Sequence, residues 1–316
     1  MVDRFFAPGI AGLPAAMLDK VLRLKGLKSL ARRACAAYAH GMDDPSPTSP
    51  ADSAASLPDP LADPAIAARH IADAVVAAGA VAVAMFRTGV KSWSKPGDSP
   101  VTEADIAVDT MLRERLTLLA PSYGWLSEET ADDPSRLARE RLWIVDPIDG
   151  TRAYMHGGAD WTVSVALVEH GRPIAAALFA PVTDELFVAV TGGGTTRNAL
   201  PITASPAAVL PGIRIDGPVH FVDQLMGEVP FTRLPRIRSL ALRLARVASG
   251  EVDAALAAPN GHDWDLAAAD LLVHEAGGRL TTLDGLPLVY NAPVPRHGAL
   301  VSAGAALHKL IVAAAH

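Results

Sequence analysis

The sequence has one cysteine, Cys35, among 316 residues. A single thiol excludes an internal disulfide framework and a cysteine-rich zinc site, and it fits a reducing, cytoplasmic setting. Aromatic residues are scarce, at 5%, so alanine, valine and leucine must build the interior. Positive charge is not in excess. The formal net charge is −6 and the isoelectric point is near 5.9, which argues against a chain-wide footprint for nucleic acid. No internal repeat is visible. A clean, long apolar run is also missing, although mean hydropathy is +0.24. The best candidate, residues 65–86, is dominated by alanine and interrupted by Arg69, His70 and Asp73. It reads as a buried helix, and no stable membrane insertion is expected.

What is present describes a folded chain. Half of the residues are hydrophobic and one fifth are charged, a composition that buries a sizeable core. The length suits about two domains or one large one. The first 64 residues differ from the rest. Residues 1–40 carry seven basic and two acidic side chains, and residues 41–64 carry five aspartates and no lysine or arginine. The first stretch has apolar residues at helical spacing from Leu18 to Leu30, and the second reads as a Pro-, Ser- and Ala-rich linker. The basic stretch is a surface-binding helix, a segment that docks on the body or on a partner, or a poorly ordered extension. The last reading is preferred, because no secretory signal pattern is present.

From residue 65 the pattern becomes regular. Residues 65–87 and 101–120 read as helices and 91–100 as a loop. Residues 141–146 read as a strand ended by Pro147. The stretches 161–170, 173–181 and 185–191 form an antiparallel meander. Beyond residue 205, 237–250 reads as a helix with an arginine-rich face. Residues 252–258 read as a strand, and 264–278 as a helix closed by two glycines. An N-terminal half (65–204) and a C-terminal half (205–316) are expected, in a layered α/β (α+β) arrangement.

Four places carry chemistry. The sharpest is 143-WIVDPIDGT-151. An apolar strand delivers Asp146, and Asp149-Gly150-Thr151 opens a turn or helix. Carboxylates at that spacing can share a hard cation, and the Gly150 and Thr151 amides can cradle a phosphate oxygen. Phosphatases that form an aspartyl phosphate place one residue between their two aspartates. Here Pro147 and Ile148 intervene, which favours water activated by a metal. The second place is 126-LSEET-130, with Glu128 and Glu129. The third is 99-SPVTEAD-105, with Thr102, Glu103 and Asp105 at a helix start. The fourth is 262-HDWDLAAAD-270, with Asp265 opening an apolar helix. Each of these last three, taken alone, is explained by solvation or capping. Together, Asp105, Glu128, Asp146, Asp149 and Asp265 all sit at element ends, as a cage assembled from rigid parts requires.

The motifs LSEET, WIVDPIDGT and WDLAAADLLVHEAGG, within residues 65–305, resemble those of the inositol monophosphatase superfamily of Mg²⁺-dependent, often lithium-sensitive phosphatases. The resemblance implies a layered α/β/α/β/α sandwich, commonly a homodimer, acting on a small phosphorylated substrate. It implies that Glu128, Asp146 and the Ile148 carbonyl hold one Mg²⁺. A second would lie on Asp146, Asp149 and Asp265, and a weaker third near Glu128. Thr151 paired with Asp105 would help activate the attacking water, and Gly150 and Thr151 would bind phosphate. Glu129 would support the loop or an ion. Lys95 either adds positive charge near the phosphate or is a solvated loop lysine. His262 either touches substrate or is an exposed loop histidine. Arg236, Arg238 and Arg243 either contact a second phosphate or base or lie on a solvated face, the latter preferred for Arg243.

Within the superfamily, 95-KPGDSPVTEAD-105, Arg152 and residues 161–182 look most like the bacterial 3′(2′),5′-bisphosphate nucleotidases. Inositol phosphatases often carry an acid a few positions before Trp-Asp, where this chain has Ala257-Ala258-Pro259-Asn260. The expected substrate is 3′-phosphoadenosine 5′-phosphate, with inositol phosphate or histidinol phosphate as alternatives and a non-catalytic binding protein outside the class. The segment 203–236 looks shorter than the family's. Deleting residues 1–60 is expected to leave phosphatase activity intact. Loss of activity from a truncated chain that still folds would give the extension a role.

Overall fold

Apolar stretches that are buried on two sides lose the polar half of their alternation, and the chain's middle third is built that way. The computed structural model describes residues 59–95 and 99–315. The expected basic helix and most of the linker lie outside them. Two residues from the linker's end are tied to the body. Leu61 is fully buried, and Asp59 accepts from Tyr123 Oη at 2.6 Å and from Arg141 at 2.8 Å. A truncation meant to spare the body therefore has to end before Asp59.

Helix α1 (Pro64–Met85) starts on Asp63, whose side chain accepts from the Ala65 amide. Proline in the first turn costs no hydrogen bond there. The helix is long and apolar enough to cross a membrane. Its Ala67, Ile71, Ala74, Ala78 and Ala82 nevertheless recur at helical spacing and are all buried in the core. The expected loop at 91–100 is corrected: β1 (Ser92–Lys95) and β2 (Ser99–Thr102) form an antiparallel ribbon. Two strands alone have no third neighbour, so Pro100 costs no sheet-interior bond, and the ribbon lacks the apolar alternation that marks a strand. Helix α2 (Glu103–Leu119) follows directly, with Thr102 as its cap.

Strand β3 (Gly124–Ser127) pairs in parallel with β4 (Arg141–Asp149), reached through a short 3₁₀ turn at Pro134–Ala138. Pro147 does not end β4. The strand continues to Asp149 through a register shift between Asp146 and Asp149, and a bulge is where a strand accepts a residue without an N–H. After the short helix α3 (Thr151–Met155) come β5 (Thr162–Glu169), β6 (Arg172–Ala180), β7 (Glu185–Val190), β8 (Gly194–Arg197) and β9 (Leu200–Ile202). Strands β3 to β9 lie in sequence order in one seven-stranded sheet. Side chains alternate across it. Trp143, Val145, Val163, Val165, Ala177 and Phe179 join α1 and α2 on one face. Leu142, Ile144, Ala166, Val168 and Leu178 face the other way.

The remaining chain provides β10 (Arg214–Asp216), α4 (Val219–Met226), β11 (Thr232–Arg233), α5 (Leu240–Ala248), β12 (Ala254–Ala257), α6 (Asp263–Glu275), β13 (Gly278–Thr282), β14 (Leu300–Gly304) and α7 (Ala305–Ala314). The second sheet runs β11-β10-β12-β14-β13. Helices α5 and α6 fill the space between the two sheets, with Leu242, Leu244, Leu266 and Leu272 sharing a core with Ala255 of β12 and Leu300 of β14. Helices α4 and α7 cover the far side through Val222, Met226, Leu307 and Ile311. The result is the expected layered α/β/α/β/α sandwich. The expected arginine-rich surface on α5 is corrected at Arg243, which is buried. Its charge is met inside the protein by Asp216, and an internal partner of that kind leaves no periodic signal in the sequence.

Small residues let these layers approach closely. A Cβ on Gly79 of α1 would lie 2.5 Å from Phe179 Cδ1 and 3.0 Å from Pro181 Cγ. Gly79→Leu is expected to destabilise the chain by about 1–3 kcal/mol through overpacking, measured by urea unfolding. An unchanged midpoint would show that the α1 contact is slack.

Candidate active site

Two carboxylates stand at the end of β4, where the register shift turns the strand. Asp146 is 1% exposed and Asp149 is 7%. Asp265 lies in the first turn of α6, where its Oδ2 accepts from the His262 amide at 2.7 Å. One oxygen from each of the three lies within 4.8 Å of the others. Asp149 Oδ2 accepts from Ser239 Oγ and from the Ala241 amide, both at 2.6 Å. These two donors belong to the cap and first turn of α5, so the site joins the large sheet to the middle helical layer. Both oxygens of Asp146 are buried with no hydrogen-bond partner. A buried carboxylate left bare costs several kcal/mol unless a positive charge meets it. This donor set consists of hard oxygens facing one another, and it fits a divalent cation of the Mg²⁺ class.

Glu128 is delivered by the parallel pairing of β3. Ser127 sits opposite Val145, and the Glu128 amide donates to Val145 O at 3.3 Å. The next residue of β4 is Asp146, so the two carboxylates emerge side by side. Asp109 of α2 fixes this turn. It accepts from Ser127 Oγ, and also from Thr130 Oγ1 at 2.7 Å. Lys95 Nζ lies 2.8 Å from both Glu128 Oε1 and Glu129 Oε1. Lys95 is therefore not a solvated loop lysine, and its charge is already met by two glutamates.

Asp105 closes the site from the start of α2. It accepts from the amide and the hydroxyl of Thr102 at 2.8 and 2.6 Å. Thr151 Oγ1 lies 3.2 Å from Asp105 Oδ1 and 3.0 Å from Ile148 O. Both neighbours are acceptors, so the hydroxyl spends its proton on them and keeps lone pairs for an incoming O–H. Between Asp149 and Thr151, Gly150 has φ 95°, and a Cβ there would meet Asp160 O at 2.8 Å. Only glycine passes this point without strain.

Crowded negative charge is written into the acidities. Burial pushes Asp146 well above the usual carboxylate range, and Glu128, Asp149, Asp265 and Asp105 add to the rise. Burial likewise raises Asp149 to about 7, with Asp265 adding and the bonds from Ser239 and Ala241 opposing. Glu129 is raised to about 7, mainly by burial against the pull of Lys95. Glu128 and Asp105 are raised by burial as well.

Asp105, Glu128, Asp146, Ile148, Asp149, Gly150, Thr151 and Asp265 thus come from four separated motifs into one place, with Lys95 attached through the glutamates. His262 borders it, with its ring stacked on Trp264 at a 4.5 Å centroid distance. Arg236 and Arg238 are exposed. Ser239 and Asp109 were missed by the sequence reading. Their signals, a serine before an apolar helix and an aspartate one turn after Asp105, are too common to single out.

The layered fold and the buried three-aspartate cluster define a metal-dependent phosphomonoester hydrolase. The chain belongs to the inositol monophosphatase family, whose profile matches residues 27–316. That match starts ahead of the motifs, at residue 27 rather than 65. The inositol-1-monophosphatase of Rhizobium meliloti (strain 1021) is 36% identical over 201 residues, 58% of this chain and 73% of that protein. The 3′(2′),5′-bisphosphate nucleotidase CysQ of Shigella flexneri is 32% identical over 63% of this chain and 82% of its own length. The crystal structure of extragenic suppressor protein suhB from Bartonella henselae superposes with a TM-score of 0.69 at 26% identity, covering 78% of this chain and 97% of that one. The nucleotidase branch is therefore not singled out.

The raised acidities fix a pH dependence. Burial and the Asp265 charge raise Asp149 to about 7 in the fold, against about 4 when unfolded. A carboxylate raised by folding holds its proton longer in the native state, so its stabilisation is full below about 4 and is lost as pH rises toward 7. Glu185 and Asp253, despite partial burial, are held low by hydrogen bonds and arginine charges, so their opposing contribution falls on the acid side. The metal-free protein should therefore lose melting temperature between about pH 5 and 7. Asp149→Asn should flatten that slope, and saturating Mg²⁺ should raise the melting temperature most at the upper end. A slope unchanged in Asp149→Asn would contradict the assignment.

Proposed function

We propose that the protein is a Mg²⁺-dependent phosphatase of small phosphate monoesters, with an inositol monophosphate as its first substrate. The observation that carries the metal assignment is Asp146, whose two oxygens are buried and bare beside Asp149 and Asp265. In this reading Glu128, Asp146 and the Ile148 carbonyl hold one Mg²⁺. Asp146, Asp149 and Asp265 hold another, and a weaker third lies near Glu128. Bound Mg²⁺ supplies Lewis-acid charge that neutralises the phosphoryl oxygens and strengthens water as a nucleophile. Thr151, with its proton directed to Asp105 or Ile148 O, accepts from the attacking water and aims it. The Gly150 and Thr151 amides orient the phosphate. No side chain is consumed as a nucleophile.

The inositol reading is chosen on the 36% identity to the inositol-1-monophosphatase of Rhizobium meliloti. Of the basic residues considered for a second phosphate, Arg243 is sealed against Asp216 and Lys95 faces Glu128 and Glu129, whereas Arg236 and Arg238 are exposed. A second reading, a bisphosphate nucleotidase, is favoured by the absence of an acid at Ala257-Ala258-Pro259-Asn260 and by the flat His262–Trp264 stack, a surface suited to a base. Histidinol phosphate is a further substrate of the same chemical class. A non-catalytic role is disfavoured by the complete carboxylate set.

The test is phosphate release with Mg²⁺ from inositol 1-phosphate, 3′-phosphoadenosine 5′-phosphate, histidinol phosphate and fructose 1,6-bisphosphate. Preference for inositol 1-phosphate is expected. Asp146→Asn should lower kcat/KM by more than about 100-fold, because loss of a supporting partner alone costs roughly 10–100-fold at metal sites. Near-normal turnover by that variant at saturating Mg²⁺ would overturn the assigned role of Asp146.

A further inference from the structure

Two buried charges stand outside the carboxylate cluster yet hold the element that supports it. Arg243, within α5, is 3% exposed, and Asp216, the last residue of β10, is 1% exposed. Arg243 Nε lies 3.2 Å from Asp216 Oδ2. As a source of stability the pair is poor. Desolvation offsets its attraction, and apolar side chains of similar volume commonly replace such a pair without loss. Asp216 Oδ1 is also buried with no hydrogen-bond partner, a cost that well-packed apolar groups would avoid.

What the two charges grip is one peptide unit on each side of Ile237. Asp216 Oδ2 accepts from the Ile237 amide at 3.1 Å, and Arg243 Nη2 donates to the Ile237 carbonyl at 2.6 Å. Ile237 lies two residues before Ser239, the α5 cap that donates to Asp149 with the Ala241 amide close behind. Ser239 is in turn fixed through its own amide, which donates to Asp160 O at 3.3 Å. The path from the ion pair to the Asp149 carboxylate therefore runs through one short stretch of backbone in which the Ile237, Arg238 and Ser239 amides are all hydrogen-bonded.

We propose that Asp216 and Arg243 are positioning residues, a buried charge clamp on Ile237 that sets the first turn of α5 and so aims the Asp149 carboxylate at its divalent cation. The clamp rests on the reading of the aspartate cluster as a cation site. An apolar replacement of the pair leaves α5 packed but frees residues 237–239 to shift. Ser239 and the Ala241 amide then hold Asp149 less firmly, and the cation loses a fixed ligand.

The test uses the full chain and Mn²⁺ as the probe, with free Mn²⁺ counted by electron paramagnetic resonance. The double variant Asp216→Leu/Arg243→Met exchanges the two charges for apolar side chains and should melt close to the parent. It should bind Mn²⁺ roughly 10-fold more weakly, and the Mg²⁺ needed for half-maximal activity should rise by the same factor. KM for substrate at saturating Mg²⁺ should stay put. Ser239→Ala should show the same pattern, and joined to the double variant it should add less than the product of the two separate losses. If the double variant does not fold, Arg243→Lys, which keeps the charge but lacks the fork that reaches Ile237, carries the same comparison with Ser239→Ala. Parent-like Mn²⁺ affinity in a folded clamp variant overturns the clamp, as does full multiplicativity with Ser239→Ala. A parent chain that binds no Mn²⁺ overturns the cation-site reading and the clamp with it.

Discussion

A carboxylate with nothing to bond to sets the terms for this structure. Asp146 is only 1% exposed, with both oxygens bare, and its neighbours Glu128, Asp149, Asp265 and Asp105 carry the same sign of charge. Such a cluster is tolerated only because each member is held by an element that is stable for other reasons. Asp105 is gripped by Thr102 at the start of α2. Asp149 is gripped by the start of α5, and Asp265 by the first turn of α6. Helix starts offer spare N–H groups and a favourable dipole. They stabilise carboxylates without neutralising them, which leaves the net charge for a cation to meet.

The middle helical layer is what makes the site a joint between the two sheets. Helix α5 packs on both sheets through one continuous core, and its cap reaches Asp149 on the large sheet. Helix α6 lies beside it and presents Asp265. The core that holds the layers together therefore also sets the spacing of the ligands. On the other face of the large sheet small residues likewise let the layers approach, as the contact between Gly79 of α1 and Phe179 illustrates.

Much of this was legible in the sequence, for identifiable reasons. Buried strands such as 141–146 and the helices 65–87 and 264–278 announce themselves through apolar runs and caps, and the three motifs carry their carboxylates at fixed offsets. The ribbon at 92–102 was not legible, because its residues are polar and contain proline. Nor was the continuation of β4 past Pro147, since a bulge depends on the partner strand. Arg243 was read as a surface residue because its partner Asp216 lies on another element, far off in sequence. Ser239 and Asp109 act on the site through other residues, and one sequence offers no periodicity or spacing that would reveal a partner of a partner.

The parallel pairing of β3 with β4 has a further consequence, for the order in which the molecule is completed. It delivers Glu128 and Asp146 to the same end of adjacent strands from a short, local stretch of chain, a closure of small entropic cost. Asp265 arrives only when α6, far downstream in the chain, has docked between the two sheets. The three-aspartate centre therefore cannot be complete on a partly synthesised or half-folded chain. Occupancy of that centre would report completed assembly, and an ion that bound only the native state would pull the last folding step forward.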